Sequence, residues 1–167
     1  MPLDADARSR LSYRLGVLVL LPPSESKAGR SRGKALDLPS LSHPDLTDHR
    51  RMVLDALAEV SGRPDAHEVL GVSPNLVEEV ARNTRLTTAP APPAAEVYTG
   101  VLYDALSPAT LPADALSRLA VGSALFGVVR AGDLIPRYRL SGGSKVPAAD
   151  GSLPTMKARW GSLITSV

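Results

Sequence analysis

The sequence predicts a mixed α/β fold with short buried strands and flanking helices around a basic cleft. Two short apolar runs, at 15–21 and 124–129, have the length and composition of buried strands. Segments with helical spacing of apolar residues lie between them, and such alternation is typical of α/β and α+β domains. The 167 residues are 44% hydrophobic and 22% charged, which is the composition of a globular domain with a real core.

The first strand is predicted over 15–21, where a partly β-branched apolar run ends at Pro22 and Pro23. A run that is apolar on both faces indicates a strand near the centre of a sheet. Residues 1–14 before it are predicted to be a polar leader. Residues 22–40 after it form a loop rich in proline, serine, glycine and cations.

A helix is predicted over 49–60, with Asp48 as its N-cap and Gly62 at its end. Its inward face would comprise Met52, Val53, Ala56, Leu57 and Val60. A second helix is predicted over 74–84, with Ser73 as cap and Pro74 in the first helical position.

The second half of the chain continues this alternation. A proline-rich connector, which is also a possible boundary, is predicted at 87–95, and a strand or short helix at 97–102. A helix is predicted at 112–121, a buried strand at 124–129 and a flexible turn at 141–144.

Charge is distributed unevenly along the chain. The net charge is +2, but residues 1–34 carry +4, residues 35–117 carry −7 and residues 118–167 carry +5. Fifteen of the 19 basic residues are arginine, the cation suited to bidentate recognition of phosphate or carboxylate. If the two basic ends meet in space, they form a positive surface beside an acidic middle.

Several classes of protein and site are excluded or disfavoured. There is no cysteine, so disulfides, thiolate metal sites and cysteine nucleophiles are excluded. His43, His49 and His67 lack metal-ligand spacing, and we expect neither a metal nor a cofactor. The longest apolar run is far shorter than a membrane span, so we expect a cytoplasmic protein without a membrane partner.

The strongest candidate site combines two cationic loops that each follow a predicted strand. Loops at strand ends are where α/β folds commonly build ligand crevices. The phosphate- or ligand-binding candidates are Ser24, Ser26, Lys27, Tyr98, Arg130, Arg137, Tyr138 and Arg139. If the protein is an enzyme, Lys27 and Asp133 are the catalytic candidates, as nucleophile or clamp and as general base. Alternatively, the tyrosines serve packing and the arginines solubility.

Residues 70–81 approximate a helix–hairpin–helix, a motif in which backbone N–H groups approach a DNA phosphate. Gly71 would be the hairpin glycine, and Ser73 stands where a second glycine is usual. Glu68, Glu78 and Glu79 place negative charge beside this hairpin. The alternative is a capped helix pair that packs in the core.

Five segments in conserved order and spacing resemble the YaaA-type peroxide stress protein family. They are LVLLPPSESKAG (18–29), LDLPSLSHPDL (36–46), EVYTGVLYDAL (96–106), SALFGVVRAGDLIPRYRL (123–140) and KARWGSLIT (157–165). Family members continue past the last segment, so the resemblance implies that residues 15–167 are the N-terminal part of a longer α/β domain. It also implies a positively charged cleft, a role in limiting iron-driven oxidative damage, and affinity for DNA.

Three functions are consistent with these residues. The first is a stress protein whose cleft binds DNA or another phosphate-bearing ligand. The second is a small-molecule enzyme of the same scaffold, a transferase or lyase of secondary metabolism that uses Lys27, Asp133 and the arginines on a phosphate- or carboxylate-bearing substrate. The third is a folded remnant without activity.

Overall fold

A computed structural model describes residues 17–165 and confirms the mixed α/β fold. Its sheet contains β1 (Val19–Leu21), β2 (Leu119–Ser123) and β3 (Gly127–Arg130) in the order β1-β2-β3. β1 runs parallel to β2 with Val19 opposite Leu119, and β2 forms an antiparallel pair with β3. The predicted leader over 1–14 lies outside the described residues.

The prediction of a buried central position for the first strand is wrong. β1 lies at the edge of the described sheet, and its Val19 and Leu20 are 43% and 56% exposed. Its apolar, β-branched composition correctly indicates a strand. The position of a strand in a sheet, however, depends on partners elsewhere in the chain, and β2 takes the central place.

The helix predicted over 112–121 is wrong in its second half. α6 (Ala113–Leu116) ends at Ser117, and the chain then enters β2. Leu119 and Ala120 pair in the sheet because β2 has a partner on both sides, which overrides weak local propensity. The strand predicted over 124–129 begins later, at Gly127, since residues 124–126 form the turn from β2.

α1 (Thr47–Ser61) is the longest helix of the described chain, and Gly62 ends it as predicted. Asp48 is not its cap, since Leu46 occupies that position and Asp48 lies within the first turn. Val53, Leu57 and Val60 are buried as predicted.

The face that α1 buries differs from the predicted one, because Met52 is 44% exposed and Arg50 is fully buried. Arg50 donates from Nε to the Phe126 carbonyl at 2.9 Å and from Nη2 to the Val128 carbonyl at 2.7 Å. It also donates to the His43 carbonyl at 3.2 Å. A guanidinium therefore joins α1 to the β2–β3 hairpin through the core.

The helix predicted over 74–84 is divided into a 3-10 turn (Pro74–Leu76), α3 (Val77–Ala81) and a 3-10 helix (Arg82–Arg85). Ser73 is confirmed as the cap, because its Oγ accepts from the Asn75 N–H. The remaining helices are α2 (Ala66–Leu70), α4 (Ala94–Val97), α5 (Val101–Leu106) and α7 (Met156–Ile164), with further 3-10 turns at Leu38–Ser40, Pro44–Leu46 and Pro108–Thr110.

Two predicted irregular segments are packed into the fold. In the connector at 87–95, Ala91 and Ala94 are buried, and Pro93 forms a bridge with Leu134. The turn at 141–144 is confirmed, and its Ser144 donates a buried hydrogen bond of 2.8 Å to the Leu70 carbonyl. Within residues 17–165, no helix has the length and apolar character needed to cross a bilayer.

Candidate functional site

The loop after β1 is fixed against the segment that joins α4 to α5. Lys27 and Tyr98 form an antiparallel bridge, and the Ala28 N–H donates to the Val97 carbonyl at 2.7 Å. Ser24 Oγ donates to the Ser26 carbonyl at 2.6 Å and accepts from the Thr99 N–H at 3.1 Å. The predicted Ser24 and Ser26 therefore shape this loop, and Lys27 is held at a defined position within it.

Lys27 is buried, with 7% of its surface exposed. Its Nζ donates to the Ser24 carbonyl at 2.7 Å and lies 4.4 Å from the centroid of the Tyr138 ring. Burial lowers the pKa of Lys27 from 10.5 to about 8, although the charge of Glu25 opposes this shift. An amine with this pKa is partly neutral at mildly alkaline pH and is a stronger nucleophile than a surface lysine.

A chain of buried hydroxyl groups lies beside Lys27. The Tyr98 and Tyr138 hydroxyls are 3.0 Å apart, and Ser123 Oγ is 2.9 Å from the Tyr138 hydroxyl. Ser123 Oγ also accepts from the Phe126 N–H at 3.1 Å. Burial raises the pKa of both tyrosines, so both hydroxyls keep their protons and act as neutral hydrogen-bonding groups.

The predicted arginines at 137 and 139 are brought close to Lys27. Both lower its pKa through their positive charge. Arg139 donates to the Glu25 carbonyl at 3.2 Å and lies 3.3 Å from the Glu25 carboxylate. Arg137 pairs with Glu79 at 2.8 Å. We call Lys27, Arg137 and Arg139 the cationic cleft.

Arg130 and Asp133 lie elsewhere. The Asp133 carboxylate accepts from the Ser42 N–H at 3.1 Å, from Ser42 Oγ at 2.9 Å and from the Arg130 N–H at 2.9 Å. The Asp133 carboxylate therefore holds the chain after β3 against residue 42, and a catalytic role for it with Lys27 stays a prediction.

Arg130 donates to the Ser117 carbonyl at 3.1 Å and lines a mainly apolar cavity of about 720 Å³. Asp133 and Ser42 also line this cavity, but Lys27 does not. The second cationic loop is therefore divided, since Arg137 and Arg139 lie beside the loop that carries Lys27, whereas Arg130 and Asp133 line a separate cavity.

The hairpin between α2 and α3 uses its amide groups to cap a helix. Gly71 has a φ of 65°, and its N–H donates to the Glu68 carbonyl at 3.1 Å. The Val72 N–H donates to the His67 carbonyl at 2.9 Å. These bonds are typical of a helix C-terminus that ends in a left-handed glycine. Gly71 therefore has a local structural role, and DNA contact by the hairpin stays a prediction.

Sequence reasoning missed a second group of cations. Arg30, Arg82, Arg85 and Arg137 line a cavity of about 560 Å³, which we call the arginine groove. The spacing of three between Arg82 and Arg85 was the available signal, because residues three apart share a face of an α-helix or a 3-10 helix. Among the described residues, no cluster of three or more histidine or carboxylate side chains could hold a metal ion.

The fold and site together define an α/β protein in which a buried lysine lies near two arginines. A family model described as "Peroxide stress protein YaaA" matches residues 17–167. The chain therefore belongs to the YaaA peroxide stress protein family, as its motifs predicted.

Curated relatives carry the printed name UPF0246 protein. The relative from Corynebacterium efficiens is 58% identical over 149 residues, which is 89% of this chain and 60% of the relative. One from Corynebacterium glutamicum is 53% identical over the same shares of both chains. One from Streptomyces coelicolor is 51% identical over 86% of this chain and 56% of the relative. The chain thus spans about three fifths of the length of the relatives it matches.

The lowered pKa of Lys27 predicts how stability depends on pH. Between pH 8 and pH 10 the unfolded chain still binds the proton that folded Lys27 has released, because the lysine pKa falls from 10.5 to about 8 on folding. The free energy of unfolding should therefore rise over this window, by on the order of 2 kcal/mol. Above about pH 10 it should fall, because unfolded tyrosines lose their protons first.

Urea denaturation at several pH values measures this dependence. Lys27→Met should remove the rise, since no titrating amine remains at the site. An equal rise in the variant and in the unmodified chain would contradict the prediction.

Proposed function

We propose that this protein limits iron-driven oxidative damage in the cytoplasm during peroxide stress by binding DNA or another phosphate-bearing ligand at the cationic cleft. The observation that carries the proposal is that Arg137 and Arg139 contact the loop of Lys27 more than a hundred positions earlier in the chain, Arg137 at Gly29 and Arg139 at Glu25. The resemblance to the family contributes the link to iron and the expectation of DNA affinity.

The division of roles within the cleft follows from burial. Lys27 is too deeply buried to contact a DNA strand directly, so it contributes through the positive electrostatic potential of its charge. Arg137 is more accessible, with a side chain that is 34% exposed. Guanidinium groups suit phosphate because they donate two parallel hydrogen bonds. Arg130 is not part of this proposed cleft, because it lines the separate apolar cavity.

The salt dependence of DNA binding tests the proposal. Fluorescence anisotropy with a short labelled duplex should show log K falling linearly with log salt, by about 0.9 for each phosphate contacted. Arg137→Ala and Arg139→Ala should each reduce this slope by about one contact. Arg51→Ala, which removes an exposed charge from α1, is the matched control and should leave the slope unchanged. Failure to retain duplex at low salt would refute DNA binding.

The lowered pKa of Lys27 and the hydroxyl chain beside it favour a second candidate, a small-molecule enzyme. Lys27 would act as nucleophile or carboxylate clamp and Tyr138 as a hydrogen-bond donor, while Glu25 would replace Asp133 as the nearby carboxylate. Lys27→Met separates the two candidates. In the anisotropy assay it should lower DNA affinity only a few-fold if the proposed function is correct. In isothermal titration with inorganic phosphate it should abolish binding if the protein is an enzyme that uses Lys27 as a clamp.

A further inference from the structure

The arginine groove has a wall that is fixed by a buried amide. The side chain of Asn83 is fully buried, and its Nδ2 donates to Ser61 Oγ at 3.1 Å and to the Arg139 carbonyl at 2.9 Å. Its Oδ1 accepts from the Arg139 N–H at 2.9 Å. Asn83 thus ties the Arg82–Arg85 helix both to the end of α1 and to the strand-like segment that carries Arg137. Asn83 therefore fixes the backbone of the helix that carries Arg82 and Arg85 relative to the segment that carries Arg137.

The cations of the groove face one another. In a 3-10 helix, side chains three positions apart project from the same side, so Arg82 and Arg85 point into the groove together, and both line it. Arg137 lies across the loop at Gly29, where a Cβ atom would come within 3.3 Å of the Arg137 side chain. Thr88 and Ser31 add hydroxyl groups to the lining.

Two of the four arginines of the groove form salt bridges with glutamates and two do not. Arg30 pairs with Glu96 and Arg137 pairs with Glu79, but neither carboxylate lines the groove. Among the residues that the structure describes, no carboxylate forms a salt bridge with Arg82 or Arg85. The groove therefore has an excess of two positive charges.

We propose that the arginine groove is a binding site for a phosphate monoester dianion. A phosphate monoester carries a charge of about −1.5 to −2 at neutral pH and three acceptor oxygens, which match the two unbalanced guanidinium groups and their many donors. A DNA backbone phosphate is a diester with one negative charge, so this site prefers a terminal phosphate. The source of that group is a free nucleotide or a phosphorylated DNA end.

This inference goes beyond the proposed function, because Arg82 and Arg85 are not part of the cationic cleft, although Arg137 belongs to both. The test uses the whole 167-residue chain and isothermal titration with adenosine 5′-monophosphate and with adenosine. The monophosphate should bind at least about tenfold more tightly, since one good charge-assisted contact is worth about that factor. Its affinity should also rise from about pH 5 to about pH 8, as the phosphate loses its second proton while the four guanidinium groups keep their charge.

Variants assign this preference to the groove. The double variant Arg82→Ala/Arg85→Ala should lose the preference for the monophosphate, with a loss of affinity of about a hundredfold. Arg51→Ala changes an exposed arginine of α1 outside the groove and should bind like the unmodified chain. Thermal unfolding confirms that each variant is folded, and the single variant Arg85→Ala serves if the double variant is not.

A comparison of duplexes identifies the source of the phosphate. If a short blunt duplex with 5′-phosphate ends competes with the nucleotide and the same duplex with 5′-hydroxyl ends does not, the ligand is a DNA end. If only the nucleotide binds, it is a small molecule. Equal affinity for adenosine and its monophosphate, or equal losses in the Arg51 control, would overturn the inference. If both duplexes displace the nucleotide with equal affinity, the groove has no preference for a terminal phosphate, and the inference is overturned while the proposed function stands.

Discussion

Replacing Arg50 with alanine is expected to lower the free energy of unfolding by about 3–5 kcal/mol. The variant loses three hydrogen bonds from a fully buried side chain, and the Phe126, Val128 and His43 carbonyls lose their donors. Truncation also leaves a cavity between α1 and the β2–β3 hairpin. Release of a buried charge offsets part of this loss, because burial lowers the pKa of Arg50 and so disfavours its charged form.

Arg51→Ala is the control for this measurement, since it removes the same kind of side chain from the exposed side of the same helix. Surface substitutions of this kind change stability by no more than about 0.5 kcal/mol. Chemical denaturation of both variants gives the comparison. If the two losses were similar, Arg50 would not join the helix to the hairpin as its hydrogen bonds indicate.

Arg50 also illustrates how far the sequence predicts the fold. The spacing of Val53, Leu57 and Val60 correctly predicts α1 and the part of its buried face that these three residues form. Arg50 lies on that same face, three positions before Val53. The predicted inward face nevertheless does not include Arg50, and arginine is rarely fully buried. Two of its three acceptors lie more than seventy positions later in the chain, and local spacing carries no information about them.

The strands also show that local sequence does not predict contacts between distant parts of the chain. The composition of the run at 15–21 predicts a strand, and β1 is one. Its place in the sheet and the strand character of β2 both depend on pairing between β1 and β2, about a hundred positions apart. Local propensity at Leu119 and Ala120 is too weak to predict that pairing.

The sequence predicts only part of the arrangement of the candidate site, because the bonding partners of a carboxylate depend on the fold. Position after a strand, together with alternate arginines, predicts a shared site for Lys27, Arg137 and Arg139, and the structure places Arg137 against Gly29 and Arg139 against Glu25. The same reasoning placed Asp133 beside Lys27, but the Asp133 carboxylate accepts hydrogen bonds from Ser42 instead. Because a carboxylate that binds backbone amides looks the same in sequence as a general base, only the fold distinguishes them.

Gly127→Ala is expected to destabilise the protein by about 3 kcal/mol, through two separate effects. Gly127 opens β3 with a φ of 76°, a left-handed conformation that costs an L-residue about 1–2 kcal/mol. A Cβ atom there would also lie 2.9 Å from Cε3 of Trp160, which is closer than van der Waals contact allows. Trp160 cannot easily move away, because it is 3% exposed and its Nε1 donates to the Ala124 carbonyl at 2.8 Å.

Gly71→Ala separates these two effects. Gly71 has a similar φ of 65°, but nothing lies within 4 Å of the added Cβ, so this variant should lose only about 1 kcal/mol from backbone strain. Trp160 is the chain's single tryptophan, so its fluorescence reports the contact directly. The emission spectrum of the folded Gly127→Ala protein should shift, and that of folded Gly71→Ala should not. Equal losses of stability in the two variants would mean that the Trp160 ring yields at little cost, and α7 would then be only loosely packed on the β2–β3 hairpin.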